Sequence, residues 1–274
     1  MMPFVLSEPA LPNTSSKEAQ VMLNRTTKEL DPLVLEAKNQ VEKDPKNPEL
    51  WVKYGRALRR QAMHREAIEA YSLGLTYNPF HPLLYRHKGH TYINIGEYAM
   101  SAAIFELALR IDPSDWDCWY HQAVAYYLNK NYELAIKSMT KALEIAEEAN
   151  DFDDIVSCKD WMWLSYTHLG KMEEAAAIVA DVELGGNTTY STSYYHRVLC
   201  YNKTYTPEEV VAIAEKLDDH MYATYTYGIS WFYMVDGEKD KAYAILKNIV
   251  DKTPSAWGGF AEHAGRRDFY EWED

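Results

Sequence analysis

Arg86, His87 and His90 stand within five residues of the chain and carry side chains that could do chemistry together. Residues three or four apart share one face of a helix, so Arg86 and His90, and likewise His87 and His90, would point the same way. A guanidinium presents a bidentate hydrogen-bond fork to carboxylates and other anions. The string therefore predicts an anion or carboxylate subsite. The alternative interpretation is an ordinary ion pair between helices, with an acid such as Asp117 or Asp160.

This basic string stands in an acidic chain. The 274 residues include 28 Lys and Arg against 41 Asp and Glu, a formal net charge of −13. Broad binding of nucleic acid or of an anionic membrane needs extended basic surface, so the composition argues against both classes of partner. The chain also has 22 Tyr and 8 Trp beside only 7 Phe, and rings with a polar handle suit the lining of a groove.

Cysteine usage and the apolar pattern point to a cytoplasmic protein. The three cysteines, Cys118, Cys158 and Cys200, are an odd number with no close spacing, which favours reduced thiols. The first residues do not have the pattern of a secretory leader, and no stretch of about 18 apolar residues occurs. We therefore expect neither export nor a membrane span.

The elements that position the basic string come from an internal repeat. Acidic or amide residues followed by proline recur every 34 residues, at Asp44-Pro45, Asn78-Pro79 and Asp112-Pro113. Two further columns keep the same step, one small (Gly55, Gly89, Ala123) and one aromatic (Trp51, Tyr85, Trp119). Small residues let two helices approach while large ones fill the space between units, so the pattern predicts repeated helix-turn-helix units.

Over residues 48–147 these columns resemble the tetratricopeptide repeat family. The resemblance implies an all-α protein, a right-handed α-solenoid superhelix of helix-turn-helix repeats. Gly96 and Lys130 mark the turns between the two helices of regular units. Gly170, Tyr205 and Gly237 mark the later turns, where the repeat pattern is weaker. The predicted organisation is an extended N-terminal arm at 1–27, a capping helix at 28–46, three regular repeats at 47–147, about three degenerate repeats at 148–252, and an aromatic C-terminal tail at 253–274. The tail is expected either to dock as a plug or to be mobile.

The resemblance also implies that the first helix of each unit lines the concave side. Carrying the repeat register along the chain predicts an aromatic, His- and Arg-rich ligand-binding face made of Arg56, Arg86, His87, His90, Tyr120, His121, Asp160, Trp161, Tyr195, His196, Tyr227 and Trp231. The simpler interpretation is that these rings and histidines satisfy one another between adjacent helices. The family's carboxylate clamp of Lys and Asn is not matched, so its peptide specificity is not carried over.

Catalysis and metal binding are weaker hypotheses. His87, His121 and His196 are the candidates for acid–base chemistry, each near a Tyr or Asp160. Zinc ligation by His87, His90 and His121 is disfavoured by the adjacent Arg56 and Arg86, so no metal is expected. No phosphate-binding loop, nucleophile elbow or dinucleotide fingerprint is present, and no cofactor is expected.

The leading hypothesis is a noncatalytic module that holds a peptide or protein segment in the concave groove. The alternative is a small-molecule site for a sugar or carboxylate, or an unconventional enzyme that uses the histidines. A scaffold that self-associates is the third possibility. The oligomeric state is left open.

Overall fold

The computed structural model describes residues 29–253 and 259–273, and within these ranges all regular structure is α-helical. The predicted all-α, helix-turn-helix class is confirmed, and the predicted arm at 1–27 lies outside the described residues. The fourteen helices found in this part of the chain are α1 (Pro32–Lys43), α2 (Pro48–Arg60), α3 (His64–Tyr77), α4 (Pro82–Asn94), α5 (Tyr98–Ile111), α6 (Trp116–Leu128), α7 (Tyr132–Ala149), α8 (Phe152–His168), α9 (Met172–Val179), α10 (Thr192–Tyr201), α11 (Pro207–Ala214), α12 (Asp219–Val235), α13 (Lys239–Lys252) and α14 (Phe260–Glu273).

The helices divide into two compact units, residues 1–101 and 102–274, which we call unit 1 and unit 2. In unit 1, α1 packs on α2, α2 on α3, and α4 on both α2 and α3. In unit 2, α8 contacts α6, α7, α9, α10 and α12, and α14 contacts α6, α12 and α13. No helix in the described ranges has both the length and the apolar character of a membrane span.

Helix starts follow the recurrent acid or amide residues. The Asn47 side chain accepts a hydrogen bond from the backbone N–H of Glu49, and proline occupies the first turn of α2. Asp115 caps α6 by accepting from the backbone of Cys118 at 3.0 Å. Such caps satisfy N–H groups that have no partner within the helix. The Asp-Pro and Asn-Pro column lies three residues before these starts, and its members Asp44 and Asn78 are the C-terminal caps of α1 and α3.

Each turn within a helix pair contains one residue with positive φ, at Ala62, Gly96, Lys130, Gly170, Lys203 and Gly237. These residues reverse the chain in the left-handed conformation that normally favours glycine. The position of the fifth turn differs from the prediction, which was Tyr205. The left-handed residue is Lys203, two positions earlier, because Tyr205 lies beyond the turn and directly before the capping residue of α11, Thr206.

Small residues at the repeat columns allow close contact between paired helices. A Cβ at Gly55 of α2 would lie 2.2 Å from the ring of Tyr71 in α3, which is too close for any side chain. The longer step after the third repeat is absorbed by helix length, since α7 has 18 residues and α8 has 17. Asn150, with φ of 53°, ends α7 before Asp151 caps α8.

Candidate functional site

The predicted basic subsite lies in unit 1, on the first helices of two consecutive repeats. Arg86 of α4 donates from Nη1 to Nδ1 of the adjacent His87 at 2.9 Å. His87 is buried and stacks on Tyr71, with ring centroids 6.0 Å apart. His90, one turn later, accepts a hydrogen bond from Arg59 of α2. The two histidines therefore hold arginine side chains in place.

We call Lys53, Arg56, Arg59, Arg60 and Arg86 the basic face of unit 1. Burial lowers the pKa of Arg59, and the positive charges of Arg86, Arg56 and Arg60 lower it further. The four guanidinium groups are therefore close enough for their charges to interact. Arg59 and Arg60 were not among the predicted site residues, although the sequence RALRR at 56–60 contains both.

Part of the basic face borders a cleft of about 300 Å³ between α1 and α2. Lys53, Arg56 and Arg60 line its α2 side, and all three are exposed. The α1 side carries Leu33, which is 66% exposed, together with two acids, Asp31 and Glu36. The cleft thus has a basic side on α2 and, on the α1 side, two acids beside an exposed apolar side chain.

In unit 2 the predicted residues meet in the interior. Arg197 of α10 donates from Nη2 to Asp160 of α8 at 2.7 Å, and neither side chain is exposed. Burial alone would lower the pKa of Arg197, but the facing carboxylate of Asp160 raises it above its ordinary value. The guanidinium also lies over the rings of Trp161 and Tyr227, at 5.8 and 6.0 Å. The group is a paired charge in an aromatic cage built by the chain itself.

The neighbouring aromatic rings are also held by hydrogen bonds to other side chains of unit 2. Trp161 donates from Nε1 to the hydroxyl of Tyr120 at 2.9 Å. The Tyr227 hydroxyl donates to Asp268 at 2.9 Å and lies 2.5 Å from the hydroxyl of Tyr127. All these rings are buried. We call Tyr120, Tyr127, Asp160, Trp161, Arg197 and Tyr227 the aromatic network of unit 2.

Three further predicted residues have separate local roles. His121 is buried, its Nδ1 lies 2.8 Å from the carbonyl oxygen of Asp117, and its ring stacks on Phe105. The Tyr195 hydroxyl donates to the Glu183 carbonyl at 2.7 Å and so holds the segment after α9. Burial lowers the pKa of His196, whose ring contacts are with Tyr195, Tyr205 and Tyr225. Tyr195 and His196 therefore do not join the network.

The displaced fifth turn explains this result. Counting back from Lys203 places Tyr194 and Arg197 at the repeat positions that Tyr205 would have assigned to His196 and Leu199. Arg197, the charge at the centre of the network, was missed for that reason. A signal was present, because Asn129-Lys130 at the third turn recurs as Asn202-Lys203 at the fifth.

The predicted aromatic tail contributes α14, which packs on the first helices of two repeats in unit 2. The Phe260 ring meets His121 edge to face at 5.4 Å. Arg267 donates from Nη1 to the carbonyl oxygen of Tyr127 at 2.9 Å, and its guanidinium lies 5.2 Å from the ring of that residue. This helix therefore covers part of the face where the sequence analysis expected a ligand. Residues 254–258 of the predicted tail lie outside the described residues.

The grouping and burial of the candidate side chains bear on the metal and catalytic hypotheses. There, no three His, Cys, Asp or Glu side chains group in a way that could hold a metal ion. Of the catalytic candidates, His87 and His121 are buried against aromatic rings. Binding of a ligand by the buried members of the set stays a prediction.

Comparison with known families matches the repeats directly. Two tetratricopeptide repeat models match residues 84–115 and 116–149, which together contain α4 to α7. Among curated proteins, human Superkiller complex protein 3 is 37% identical over 62 residues, and Tetratricopeptide repeat protein 37 of Xenopus laevis is 36% identical over 58 residues. These segments cover 23% and 21% of this chain but only 4% of either relative.

Similar solved structures share low identity with this chain. YrrB, described as a tetratricopeptide repeat protein with an unusual peptide-binding site, is 17% identical with a TM-score of 0.49, covering 83% of this chain and 96% of that one. MamA from Desulfovibrio magneticus RS-1 is also 17% identical, with a TM-score of 0.48 over 63% of this chain and 85% of its own. The family matches thus identify residues 84–149 of this chain as tetratricopeptide repeats.

Proposed function

We propose that this chain is a protein-interaction module that binds an acidic peptide segment along the basic face of unit 1. Tetratricopeptide repeats support a role in protein–protein interaction. The observation that carries the finer proposal is the concentration of Lys53, Arg56, Arg59, Arg60 and Arg86 on α2 and α4, in a chain whose net charge is −13. A local reversal of charge of this kind steers a partner of opposite sign to one place.

The side chains that line the cleft indicate which residue types the peptide would carry. Exposed guanidinium groups at Arg56 and Arg60 suit carboxylate side chains, because a bidentate pair of charge-assisted hydrogen bonds is stronger than a neutral one. Leu33 offers a partner for one apolar side chain of the peptide. The acids Asp31 and Glu36 would repel carboxylates from the α1 side. An acidic segment with a central aliphatic residue, seated against α2, fits this arrangement.

His87 and His90 act as positioning residues in this proposal. Long arginine side chains lose rotamer freedom when a ligand fixes them, and this loss weakens binding. The contacts of Arg86 with His87 and of Arg59 with His90 hold two guanidinium groups before the peptide arrives. The buried stacking of His87 on Tyr71 in turn fixes the imidazole.

The test uses a fluorescein-labelled peptide, Glu-Glu-Leu-Glu-Glu, and its counterpart with Gln in place of Glu. In fluorescence anisotropy we expect the Glu peptide to bind and the Gln peptide to bind at least tenfold more weakly. Arg56→Glu and Arg60→Glu each reverse an exposed charge and should weaken binding about tenfold or more, as loss of a charged hydrogen bond does. Added salt should weaken it further.

The matched control is Arg110→Glu in α5, which makes the same substitution at an exposed arginine outside the basic face. It should leave the affinity unchanged. Equal binding of the Glu and Gln peptides, or an equal loss with Arg110→Glu, would show that the basic face does not select the ligand.

A further inference from the structure

Unit 2 contains a second concave feature, distinct from the basic face. Five helices, α7, α8, α12, α13 and α14, surround a pocket of about 370 Å³. Its lining includes Tyr132, His168, Trp231 and Trp272, and apolar Met234 and Leu246 complete the walls. We call it the aromatic pocket. Its volume lies in the range of pockets that hold small molecules or single large side chains.

The rings on one side of the pocket form an ordered stack. His168 lies between Tyr132, with centroids 4.3 Å apart and planes 8° apart, and Trp231, at 3.7 Å and 18°. The Trp231 indole N–H donates to Thr167 at 2.7 Å, which fixes the orientation of that ring. A flat group entering the pocket would therefore meet rings that are already in place, so that little side-chain freedom would be lost.

Hydrogen bonding sets the tautomer of His168. The Tyr227 hydroxyl donates to Asp268, so the short contact between Tyr127 and Tyr227 uses the proton of Tyr127. The Tyr127 hydroxyl must then accept from His168, whose Nε2 lies 3.0 Å away. The imidazole is therefore protonated at Nε2. Its burial, with the nearby charges of Arg267 and Lys130, lowers the His168 pKa to about 3 and keeps the ring neutral.

A neutral imidazole with its proton on Nε2 has a lone pair on Nδ1, which can accept a hydrogen bond. Among the described residues no donor meets this nitrogen. The charges at the rim are paired with one another, Lys130 with Glu271 and Arg267 with Asp268. The pocket thus offers stacking surface and one acceptor, without a net charge that would select an ion.

We propose that the aromatic pocket binds a flat, neutral, nitrogen-containing aromatic group of the indole class, whose N–H donates to Nδ1 of His168. Such a group occurs both as a free small molecule and as the side chain of tryptophan in a peptide. The two sources share the same ring chemistry, and the experiment separates them.

The test is isothermal titration calorimetry with indole, 1-methylindole and N-acetyltryptophanamide. Indole should bind saturably, and 1-methylindole, which lacks the N–H, should bind about three- to tenfold more weakly because one hydrogen bond is lost. Binding of N-acetyltryptophanamide as tight as that of indole identifies a peptide side chain as the source. Binding of indole without it identifies a free small molecule.

Two variants test the location, a third is the control and a fourth tests the acceptor. Met234→Trp should fill the pocket and abolish indole binding, and Trp272→Leu should weaken it by removing one wall. Trp119→Leu is the matched control, since Trp119 lies outside the pocket and donates to the Pro113 carbonyl, and it should leave the affinity unchanged. In His168→Phe the ring stack is retained, and the difference between indole and 1-methylindole should disappear.

Four results would overturn the proposal. They are the absence of saturable binding by indole and N-acetyltryptophanamide, equal affinity of the wild type for indole and 1-methylindole, indole binding unchanged in Met234→Trp, and saturable binding of tetramethylammonium in place of indole. The last result would instead identify a cation cage. Circular dichroism melting curves of the variants confirm that each one is folded before its affinity is interpreted.

Discussion

Asp153, in the first turn of α8, places its carboxylate against the backbone of residues 189–191. The backbone N–H groups of Thr189 and Ser191 donate to it at 2.9 and 2.7 Å, and the Tyr190 N–H donates at 3.1 Å. Burial alone would raise the pKa of Asp153, but these donors lower it below its ordinary value. The carboxylate therefore stabilises the start of α10 in its ionised form.

This contact predicts a pH-dependent loss of stability. Because the folded pKa lies below the unfolded value of about 3.9, the stabilising contribution is complete above pH 4 to 5 and is lost as pH falls through the folded pKa. Asp153→Asn should lower the free energy of unfolding at pH 7. In urea titrations the difference from wild type should shrink between pH 5 and pH 3.

The control for this experiment is Asp251→Asn, which changes an exposed acid on α13 that pairs with Lys247. It should have a small effect at pH 7. A difference between Asp153→Asn and wild type that stays constant from pH 7 to pH 3 would contradict the role given to the ionised carboxylate.

Among the elements, the six turns within helix pairs share one backbone conformation but differ in the residue that adopts it. Gly96, Gly170 and Gly237 have no Cβ to strain, whereas Ala62, Lys130 and Lys203 adopt positive φ with a side chain. The left-handed conformation costs roughly 1–2 kcal/mol for residues other than glycine. Half of the turns therefore adopt a backbone conformation that costs free energy, and the packing of their helices offsets this cost.

Ala62→Gly should raise the free energy of unfolding. The relief of strain exceeds the added backbone entropy of glycine, about 0.5–1 kcal/mol, so the expected net gain is up to about 1 kcal/mol. Ala176→Gly makes the same change inside α9, at an exposed position, and should lower stability by about 1 kcal/mol. Urea unfolding measures both, and equal signs for the two variants would refute the argument.

The turns also show how much of the fold can be predicted from the sequence. The first three repeats were predicted because proline and small residues act locally and keep a constant spacing of 34 residues. The fifth turn was missed because Lys203 adopts positive φ without glycine, and the error moved Arg197 out of the predicted face. The sequence left open whether Asp160 and Trp161 line a groove or pack between helices, and the structure buries both. Whether a ring lines a groove or fills a core depends on the helix placed opposite, here α10 with Arg197 and α12 with Tyr227.

For the whole molecule, the division into two units predicts that a substitution in the core of one unit lowers stability mainly within that unit. Repeat proteins are stabilised mainly by contacts between neighbouring elements, so their parts can open separately. The ion pair of Arg197 and Asp160 lies entirely within unit 2. Removal of one partner of a buried pair costs about 3–5 kcal/mol, because the other charge is left buried and alone.

Asp160→Asn should therefore reduce amide hydrogen-exchange protection in α8, α10 and α12 while α2 and α3 keep theirs. Glu144→Gln breaks an exposed pair with Lys141 and should change neither unit measurably. An equal loss of protection in unit 1 and unit 2 would show that the chain unfolds as one cooperative block.

The docking of α14 has a consequence for the order of events during protein synthesis. Arg267 bonds to the backbone of Tyr127, 140 residues earlier in the chain. At synthesis rates of about 5–20 residues per second, this partner is made roughly 7 to 28 seconds after α6. The helices of unit 1 find their partners within neighbouring repeats and have no such delay. The aromatic face of α6 is thus exposed longest in the nascent chain, and we expect molecular chaperones to be needed mainly there.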